Sequence, residues 1–241
     1  MGLPVVATYF WQPDPGSKFA HAYTPDDVRL LQRMVARHLT VPHQFAVITD
    51  HPDAFAEDDI RAIPIDRATH VPGTCFVRLM TFHPQGKEMI GDKVLQLDLD
   101  TIIVGNIDHL LAREEDDLVL WRNPTINPKR PGRSFYNTSI LLHRCGSIPE
   151  VWETFIGMGA GARRTVKDDQ WFLSDVFGPH MPYFDGARDG VYRLARADTP
   201  GSGVDGDLPK NACVVTFPGS EGKPSDPAIV ARNPWIVGHR R

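Results

Sequence analysis

The chain has 241 residues, of which 41% are apolar and 23% charged, and its formal net charge at pH 7 is -4. This length and apolar content can bury the core of one sizeable domain. The slight acidity gives no general attraction to nucleic acid, so we expect no nucleic-acid partner. No apolar run approaches the roughly 20 residues that span a bilayer, and we find no signal-like segment. We therefore expect a cytoplasmic protein without a transmembrane segment, and leave open a peripheral position at the inner membrane face.

Strands alternate with helices through the first half of the chain. A β-branched and aromatic run at 5–10 predicts the first strand. Thr24, followed by proline and acids, predicts a helix start, and apolar residues at three and four spacing continue that helix to residue 39. We predict further strands at 45–49 and around 62–65, and a helix at 75–82.

The second half continues the same alternation. The remaining predicted strands are 94–97, 118–121, 135–142 and 214–217, and the remaining predicted helices are 107–112, 150–156 and 169–176. The Pro-rich stretch 123–132 is too long to be mere linkage. No repeat and no linker divides the chain, so the pattern predicts one α/β domain. The cysteines, Cys75, Cys145 and Cys213, are odd in number and far apart, which favours reduced and mostly buried thiols over disulfides or a zinc site.

Two carboxylates stand where a predicted strand ends. Asp98 and Asp100 follow an apolar run and precede a Gly-Asn turn. Side chains two positions apart in extended chain point to the same side, so both carboxylates can face one hard cation. Mg²⁺ or Mn²⁺ is commonly held by such carboxylates together with substrate phosphates, which predicts a diphosphate substrate. A capping role or an ion pair with arginine is the structural alternative.

The same acidic pattern occurs a second time, at Asp205 and Asp207. These residues lie in a stretch rich in Gly, Pro and Ser, where aspartate commonly shapes turns. We therefore interpret the second copy as a turn and the first copy as the metal site.

The segment 97–108, LDLDTIIVGNID, resembles the signature of GT-A fold nucleotide-sugar glycosyltransferases, in particular the family 8-like group of glycogenin and bacterial lipopolysaccharide galactosyltransferases. Segments 5–9, 136–142, 167–170 and 214–224 resemble further motifs of that group, in the same order. The resemblance covers nearly the whole chain. It implies an α/β fold of one domain over 1–241, with a Rossmann-like, mixed and mostly parallel central sheet flanked by helices. The nucleotide-binding part would be about 1–108, and the acceptor- and sugar-binding part about 109–241.

The resemblance also implies roles for individual residues at the nucleotide end. Ala7, Thr8 and Tyr9 would contact the nucleoside, although Tyr9 is equally well read as a core aromatic. Arg78 resembles a basic residue directed at the donor, and a structural salt bridge is the alternative.

Other matching residues would hold the phosphates and the sugar. Gly219 and Lys223 resemble the late phosphate-binding turn, where backbone N–H groups and a positive charge meet the diphosphate, and an ordinary surface lysine is the alternative. Asn137 and Ser139 would bond sugar hydroxyls. Asp169 and Gln170 would be the catalytic pair near the anomeric carbon, with retention of configuration, whereas an acid at a helix start can also be only a dipole partner.

One position departs from the family pattern. Thr216 stands where that group usually has a histidine that completes the protein ligands of the metal. A hydroxyl is a poorer ligand than imidazole, so we expect the cation to hold an extra water, to bind more weakly, or to arrive mainly with the substrate. His180 or His239 could supply a replacement.

These features predict a metal-dependent glycosyltransferase, with Mn²⁺ or Mg²⁺, that moves a hexose from a UDP-sugar to a hydroxyl acceptor. The acceptor would be a saccharide, a lipid-linked group or a protein, bounded by Trp121 and the loop after it. A sugar-phosphate nucleotidyltransferase is the first alternative, but residues 11–16 lack the expected glycine- and base-rich loop. A nucleotide-sugar binding protein without turnover is the second, supported by Thr216.

Overall fold

The computed structural model describes residues 2–12, 23–66, 75–114, 116–123, 134–163, 165–195, 203–217 and 223–241. The strands in these ranges are β1 (Val5–Phe10), β2 (Gln44–Thr49), β3 (Arg61–Pro64), β4 (Lys93–Leu97), β5 (Thr101–Ile103), β6 (Leu118–Arg122), β7 (Tyr136–Arg144), β8 (Tyr183–Phe184), β9 (Val191–Arg193) and β10 (Val214–Thr216). The α-helices are α1 (Pro25–His38), α2 (Gly86–Met89), α3 (Asp108–Leu111), α4 (Pro149–Gly157), α5 (Gly159–Arg163), α6 (Asp169–Phe177), α7 (Gly186–Asp189), α8 (Pro227–Arg232) and α9 (Trp235–His239). Short 3₁₀ helices occupy Pro52–Phe55, Phe76–Phe82 and Gly178–His180.

The central sheet is mixed and mostly parallel, as predicted. In the described chain its strands follow the order β3-β2-β1-β4-β7-β6-β8. Only β7 runs against its neighbours β4 and β6, and the other pairs are parallel. The carboxyl ends of β1, β4 and β6 therefore lie at one edge of the sheet, and β7 begins there. We call this edge the carboxyl edge.

A smaller sheet continues the chain directly beyond that edge. β5 pairs antiparallel with β10, and β10 pairs parallel with β9. In this register Thr216 lies opposite Thr101, and the backbone N–H of Phe217 donates to the carbonyl of Asp100 at 3.0 Å. The late segment of the chain is thereby held beside the acidic pair.

Helices cover both faces of the central sheet. α1 starts after Thr24, whose backbone N–H donates to the Asp27 carboxylate at 2.9 Å, and it buries the apolar face that its spacing predicts. The residues of β1 alternate between two core clusters. One cluster contains α1, and the other contains the 3₁₀ helix Phe76–Phe82 with α4 and α6. The single-domain α/β prediction is confirmed.

Several short elements were not predicted from the sequence pattern. β5, β8 and β9 have two or three residues each, too few to show a period of their own. The segment predicted as a helix at 75–82 is instead a 3₁₀ helix over Phe76–Phe82. No helix in the described ranges is both long and apolar enough to cross a membrane. The three cysteines are free, and burial raises the pKa of each thiol to about 12.

Candidate functional site

The two aspartates of the first acidic pattern lie at the carboxyl edge, as predicted. Asp98 directly follows β4, and its backbone N–H donates to the carbonyl of Ser139 on β7 at 2.9 Å. Asp100 directly precedes β5 of the smaller sheet. Their side chains are 12% and 9% exposed, so both carboxylates are largely removed from water.

Arg78 joins Asp98 to Asp169. One terminal nitrogen of Arg78 lies 2.8 Å from both carboxylate oxygens of Asp98, and the other lies 3.3 Å from Asp169. Burial is the largest cause acting on the pKa of Arg78 and lowers it, but the combined field of Asp98, Cys75 and Asp169 raises it well above its usual value. Burial also raises the pKa of Asp98 to about 6, although Arg78 opposes this. One ion cluster, largely removed from water, therefore joins the residues predicted to bind the donor (Arg78), to hold the metal (Asp98) and to take part in catalysis (Asp169).

Asp169 is the first residue of α6, but it does not cap that helix. The cap is Asp168, whose carboxylate accepts from the backbone N–H of Trp171 at 2.9 Å. Asp169 is buried and accepts instead from the hydroxyl of Thr138 at 2.7 Å, and its other oxygen is buried with no hydrogen-bond partner among the described residues. Gln170, one position further on, is half-buried. The alternative of a simple dipole partner is thus not the main role of Asp169.

Asp100 has its own pair of partners, one of which the sequence reasoning missed. The hydroxyl of Tyr23 donates to Asp100 at 2.7 Å. The ammonium of Lys223 lies 3.3 Å from the same carboxylate oxygen and 4.1 Å from the centre of the Tyr23 ring, and it also contacts the Tyr23 hydroxyl. Burial raises the pKa of Tyr23, with Asp100 adding to the effect. An aromatic residue immediately before a predicted helix start was the only signal for Tyr23.

The predicted nucleoside-binding residues of β1 lie near the ion cluster of Arg78. Ala7, Thr8 and Tyr9 are buried, and the hydroxyl of Tyr9, which is 5% exposed, donates to the carbonyl of Arg78 at 3.2 Å. The Tyr9 ring packs in the core, in keeping with the interpretation of Tyr9 as a core aromatic; the half-buried aromatic beside Asp100 is Tyr23. The hydroxyl of Thr8 is buried without a hydrogen-bond partner in the described structure. Contact of these three residues with a nucleoside stays a prediction.

The predicted sugar-binding residues begin β7 at the same edge. Asn137 is half-buried, and its side-chain oxygen accepts from the backbone N–H of Ser139 at 2.7 Å. Ser139 is buried, and its hydroxyl lowers the pKa of Asp98 by hydrogen bonding. Contact of either residue with a sugar stays a prediction.

Other predicted positions separate from the cluster. Trp121 is 2% exposed and packs in the core, so the expectation that it forms an acceptor wall is wrong. A register shift in β6 follows Leu120, and beyond it Arg122 is exposed and donates to the hydroxyl of Tyr183 at 2.9 Å. Asp205 pairs with Arg232 at 2.6 Å in an exposed turn, in keeping with the turn interpretation. Gly219, and most of the loop after Trp121, lie outside the described residues.

The protein side chains of this site could supply only some of the ligands of a divalent cation. In the ranges that the structure describes, no group of three or more His, Cys, Asp or Glu side chains could hold a metal. Thr216 is buried on β10 near Asp100, and the only side-chain group that it could offer to a metal is its hydroxyl. Asp98 and Asp100 nevertheless offer hard oxygens, and Mg²⁺ typically combines one or two carboxylates with water and substrate phosphates. The donor set is compatible with a cation that completes its shell on a diphosphate.

Solved structures with the same fold include glycosyltransferases. The galactosyltransferase LgtC in complex with donor and acceptor sugar analogues matches with a TM-score of 0.61 and 13% identity, over 97% of this chain and 95% of that chain. An active-site mutant of LgtC matches over the same shares with a TM-score of 0.64 and 12% identity. The glycosyltransferase GlyE of Streptococcus pneumoniae TIGR4 matches with a TM-score of 0.58 and 16% identity, over 94% of this chain and 57% of that chain. No family model and no curated protein sequence matches the chain.

The comparison confirms the fold that the resemblance implied. The match extends over nearly the whole chain, so the fold is shared along nearly its whole length. Identities of this size establish a shared fold, whereas chemistry has to be argued from the site itself.

Proposed function

We propose that the protein is a metal-dependent glycosyltransferase that moves a hexose from a nucleotide diphosphate sugar, expected to be a UDP-sugar, to an acceptor hydroxyl with retention of configuration. The observation that carries this proposal is the cluster at the carboxyl edge. Two largely buried aspartates, Asp98 and Asp100, each have a cation within 3.3 Å, in a fold shared with glycosyltransferases. Ligands in open α/β sheets bind at the carboxyl ends of the strands.

The charge balance of the cluster suits a departing diphosphate. Breaking the bond between sugar and diphosphate leaves negative charge on the nucleotide, and Lys223 and Arg78 are cations in contact with the acidic pair. Lysine provides a mobile point charge, whereas the arginine fork is held between two carboxylates and stays in place. When bound, Mn²⁺ or Mg²⁺ would be held by Asp98 and Asp100 and would stabilise the charge of the leaving diphosphate.

The structure suggests different duties for the proposed catalytic pair. Asp169 is buried beneath Arg78 and Thr138, so we assign it the task of holding the guanidinium in position. Gln170 is half-buried, with no partner recorded for its side chain in the described structure, and we assign it the approach to the sugar. The nearby amide of Asn137 would bond a sugar hydroxyl.

The acceptor would bind beyond β7 along the same edge. A saccharide, a lipid-linked group or a protein can each present the required hydroxyl. The next strand, β6, ends at the exposed Arg122, which lies 4.7 Å from the centre of the Tyr183 ring. The half-buried ring of Tyr183 and the exposed guanidinium of Arg122 at that strand end support an acceptor site there, in place of the buried Trp121.

Release of UDP tests the proposal and separates it from its alternatives. We would incubate the protein with Mn²⁺ and, in turn, UDP-glucose, UDP-galactose and their N-acetyl forms. Mn²⁺-dependent hydrolysis or transfer of one donor supports a glycosyltransferase. Pyrophosphate exchange would indicate a nucleotidyltransferase, and binding without release of UDP would indicate a binding protein.

The two acidic patterns provide a matched pair of variants. We expect Asp100→Asn to lower transfer by on the order of 10² to 10³-fold, because a loss of a few kcal/mol of leaving-group stabilisation costs about tenfold per 1.4 kcal/mol. Asp205→Asn should leave the rate unchanged, since Asp205 lies in an exposed pair with Arg232. Near-normal turnover in the Asp100 variant would remove the metal role, and a comparable loss in the Asp205 variant would mean that the other acidic pattern carries the chemistry.

A further inference from the structure

The two aspartates of the acidic pair have cations of different character. Arg78 is 12% exposed and contacts both Asp98 and Asp169. Lys223 is 25% exposed and contacts one carboxylate, that of Asp100. Lysine carries its charge on a flexible stem, whereas a guanidinium held by two carboxylates loses several contacts if it moves. Lys223 is therefore the cation that can leave.

Tyr23 contacts both Asp100 and the ammonium of Lys223. Its hydroxyl reaches Asp100 at 2.7 Å, and its ring lies 4.1 Å from the ammonium, close enough for a cation–π interaction. These contacts come from segments on either side of the acidic pair in sequence, and both are made to the same Asp100 carboxylate oxygen, Oδ2. The positive charge of the ammonium therefore opposes a divalent cation that approaches Asp100 without other ligands.

We propose that Lys223 is an internal counter-ion that occupies Asp100 in the donor-free protein and moves to the diphosphate when the donor binds, so that the divalent cation and the nucleotide diphosphate bind together. This inference rests on the proposed function, because it assumes a nucleotide diphosphate as ligand. It concerns the order and coupling of binding, which the assignment of a glycosyltransferase leaves undetermined.

The charges of the cluster explain the coupling. Three aspartates, Asp98, Asp100 and Asp169, face two cations, Arg78 and Lys223, which leaves one negative charge in excess. A divalent cation alone would reverse that excess, and a diphosphate alone would enlarge it in a site largely closed to water. Both together return the cluster to its original balance, so each ligand should raise the affinity for the other by the same factor.

Replacing Lys223 by an uncharged residue of similar shape should change the affinity for Mn²⁺ in opposite directions without and with nucleotide. We expect Lys223→Met to bind Mn²⁺ about tenfold more tightly than the wild type in the absence of nucleotide, because the competitor is removed. With saturating UDP the same variant should bind Mn²⁺ about tenfold more weakly, because the diphosphate has lost a cation. Electron paramagnetic resonance of free Mn²⁺ measures both affinities without turnover.

A second variant of the cluster and a control variant accompany this test, and the folding of each is measured. Tyr23→Phe retains the ring but removes the hydroxyl, and it should strengthen Mn²⁺ binding without nucleotide by a smaller factor. Lys210→Met, at an exposed position on the surface, should change neither affinity. Circular dichroism checks that all variants fold.

The outcomes separate this inference from the proposed function. Unchanged or weaker binding of Mn²⁺ to Lys223→Met in the absence of UDP overturns the counter-ion role, even if UDP-sugars are turned over. Absence of Mn²⁺ binding in every variant overturns it as well. Failure of the protein to bind or release UDP from any UDP-sugar contradicts the glycosyltransferase, whereas the Mn²⁺ titration without nucleotide still reports on Lys223.

Discussion

Asp169 and Gln170 are neighbours in sequence but differ sharply in environment. The carboxylate of Asp169 is buried, accepts from Thr138, and faces Arg78 at 3.3 Å. The side chain of Gln170 is half-buried at the first turn of α6. Loss of the carboxylate leaves part of a largely buried arginine charge uncompensated, whereas the amide of Gln170 makes no hydrogen bond within the described residues.

Stability and activity should therefore respond differently at these two positions. We expect Asp169→Asn to lower the free energy of unfolding by about 3 kcal/mol, the usual cost of breaking a buried ion pair. Gln170→Ala should change it by no more than about 0.5 kcal/mol while lowering the rate of UDP release. Urea denaturation and the release assay measure the two effects, and a Gln170 variant as unstable as the Asp169 variant would assign both residues to structure.

Among the elements, the smaller sheet decides where Asp100 sits. β5 begins at the residue after Asp100, β10 pairs with β5, and β9 pairs with β10. Gly190 connects α7 to β9 with a backbone φ of +70°, and a Cβ there would lie 2.2 Å from the carbonyl oxygen of Asn211. The close approach of two backbone segments at Gly190 thus keeps the three strands together.

Two glycines with positive φ allow the cost of the close contact with Asn211 to be measured apart from the cost of the backbone angle. Gly190→Ala should lower the free energy of unfolding by about 3 kcal/mol or more, since both a left-handed residue and a backbone clash are introduced. Gly206→Ala, at φ +84° with open space around it, should cost about 1 kcal/mol. Urea denaturation compares them, and equal losses would mean that the contact with Asn211 is not limiting.

Across the whole molecule, His143 makes stability depend on pH. Its ring lies in the core between β7 and the 3₁₀ helix Phe76–Phe82, with the Thr81 hydroxyl 3.1 Å from Nδ1 and the Phe82 ring 4.5 Å away. Burial lowers the pKa of His143 to about 3. Below the ordinary histidine pKa of about 6.5, the unfolded chain therefore binds a proton that the folded protein does not accept.

We expect the stability that His143 contributes to be complete above about pH 6.5 and to be lost as the pH falls towards 3, by at most about 1.4 kcal/mol per pH unit. His143→Phe should make the fall in unfolding free energy between pH 6.5 and pH 4.5 shallower. His180→Gln, at an exposed position, should leave that slope unchanged. Urea denaturation at several pH values measures the slopes, and identical slopes for wild type and His143→Phe would contradict a neutral buried histidine.

Much of the fold could be predicted because its signals are local. The apolar spacing of α1, its start after Thr24, and the strand before Asp98 each depend on residues within a few positions of one another. The same locality placed Asp98 and Asp100 at a strand end. β5, β8 and β9 escaped prediction because segments of two or three residues become strands only through the neighbours that they pair with.

The sequence by itself determined which residues carry charge at the carboxyl edge and that two carboxylates stand there side by side. Only the tertiary structure decided how those charges are paired. Tyr23 and Lys223 reach Asp100 from positions 77 and 123 residues away, and Arg78 meets Asp169 across 91 residues. Local patterns encode burial and backbone direction, which act over one or two turns. Ion pairing depends on distances of a few ångströms between remote segments, which are set only when the sheets and helices pack.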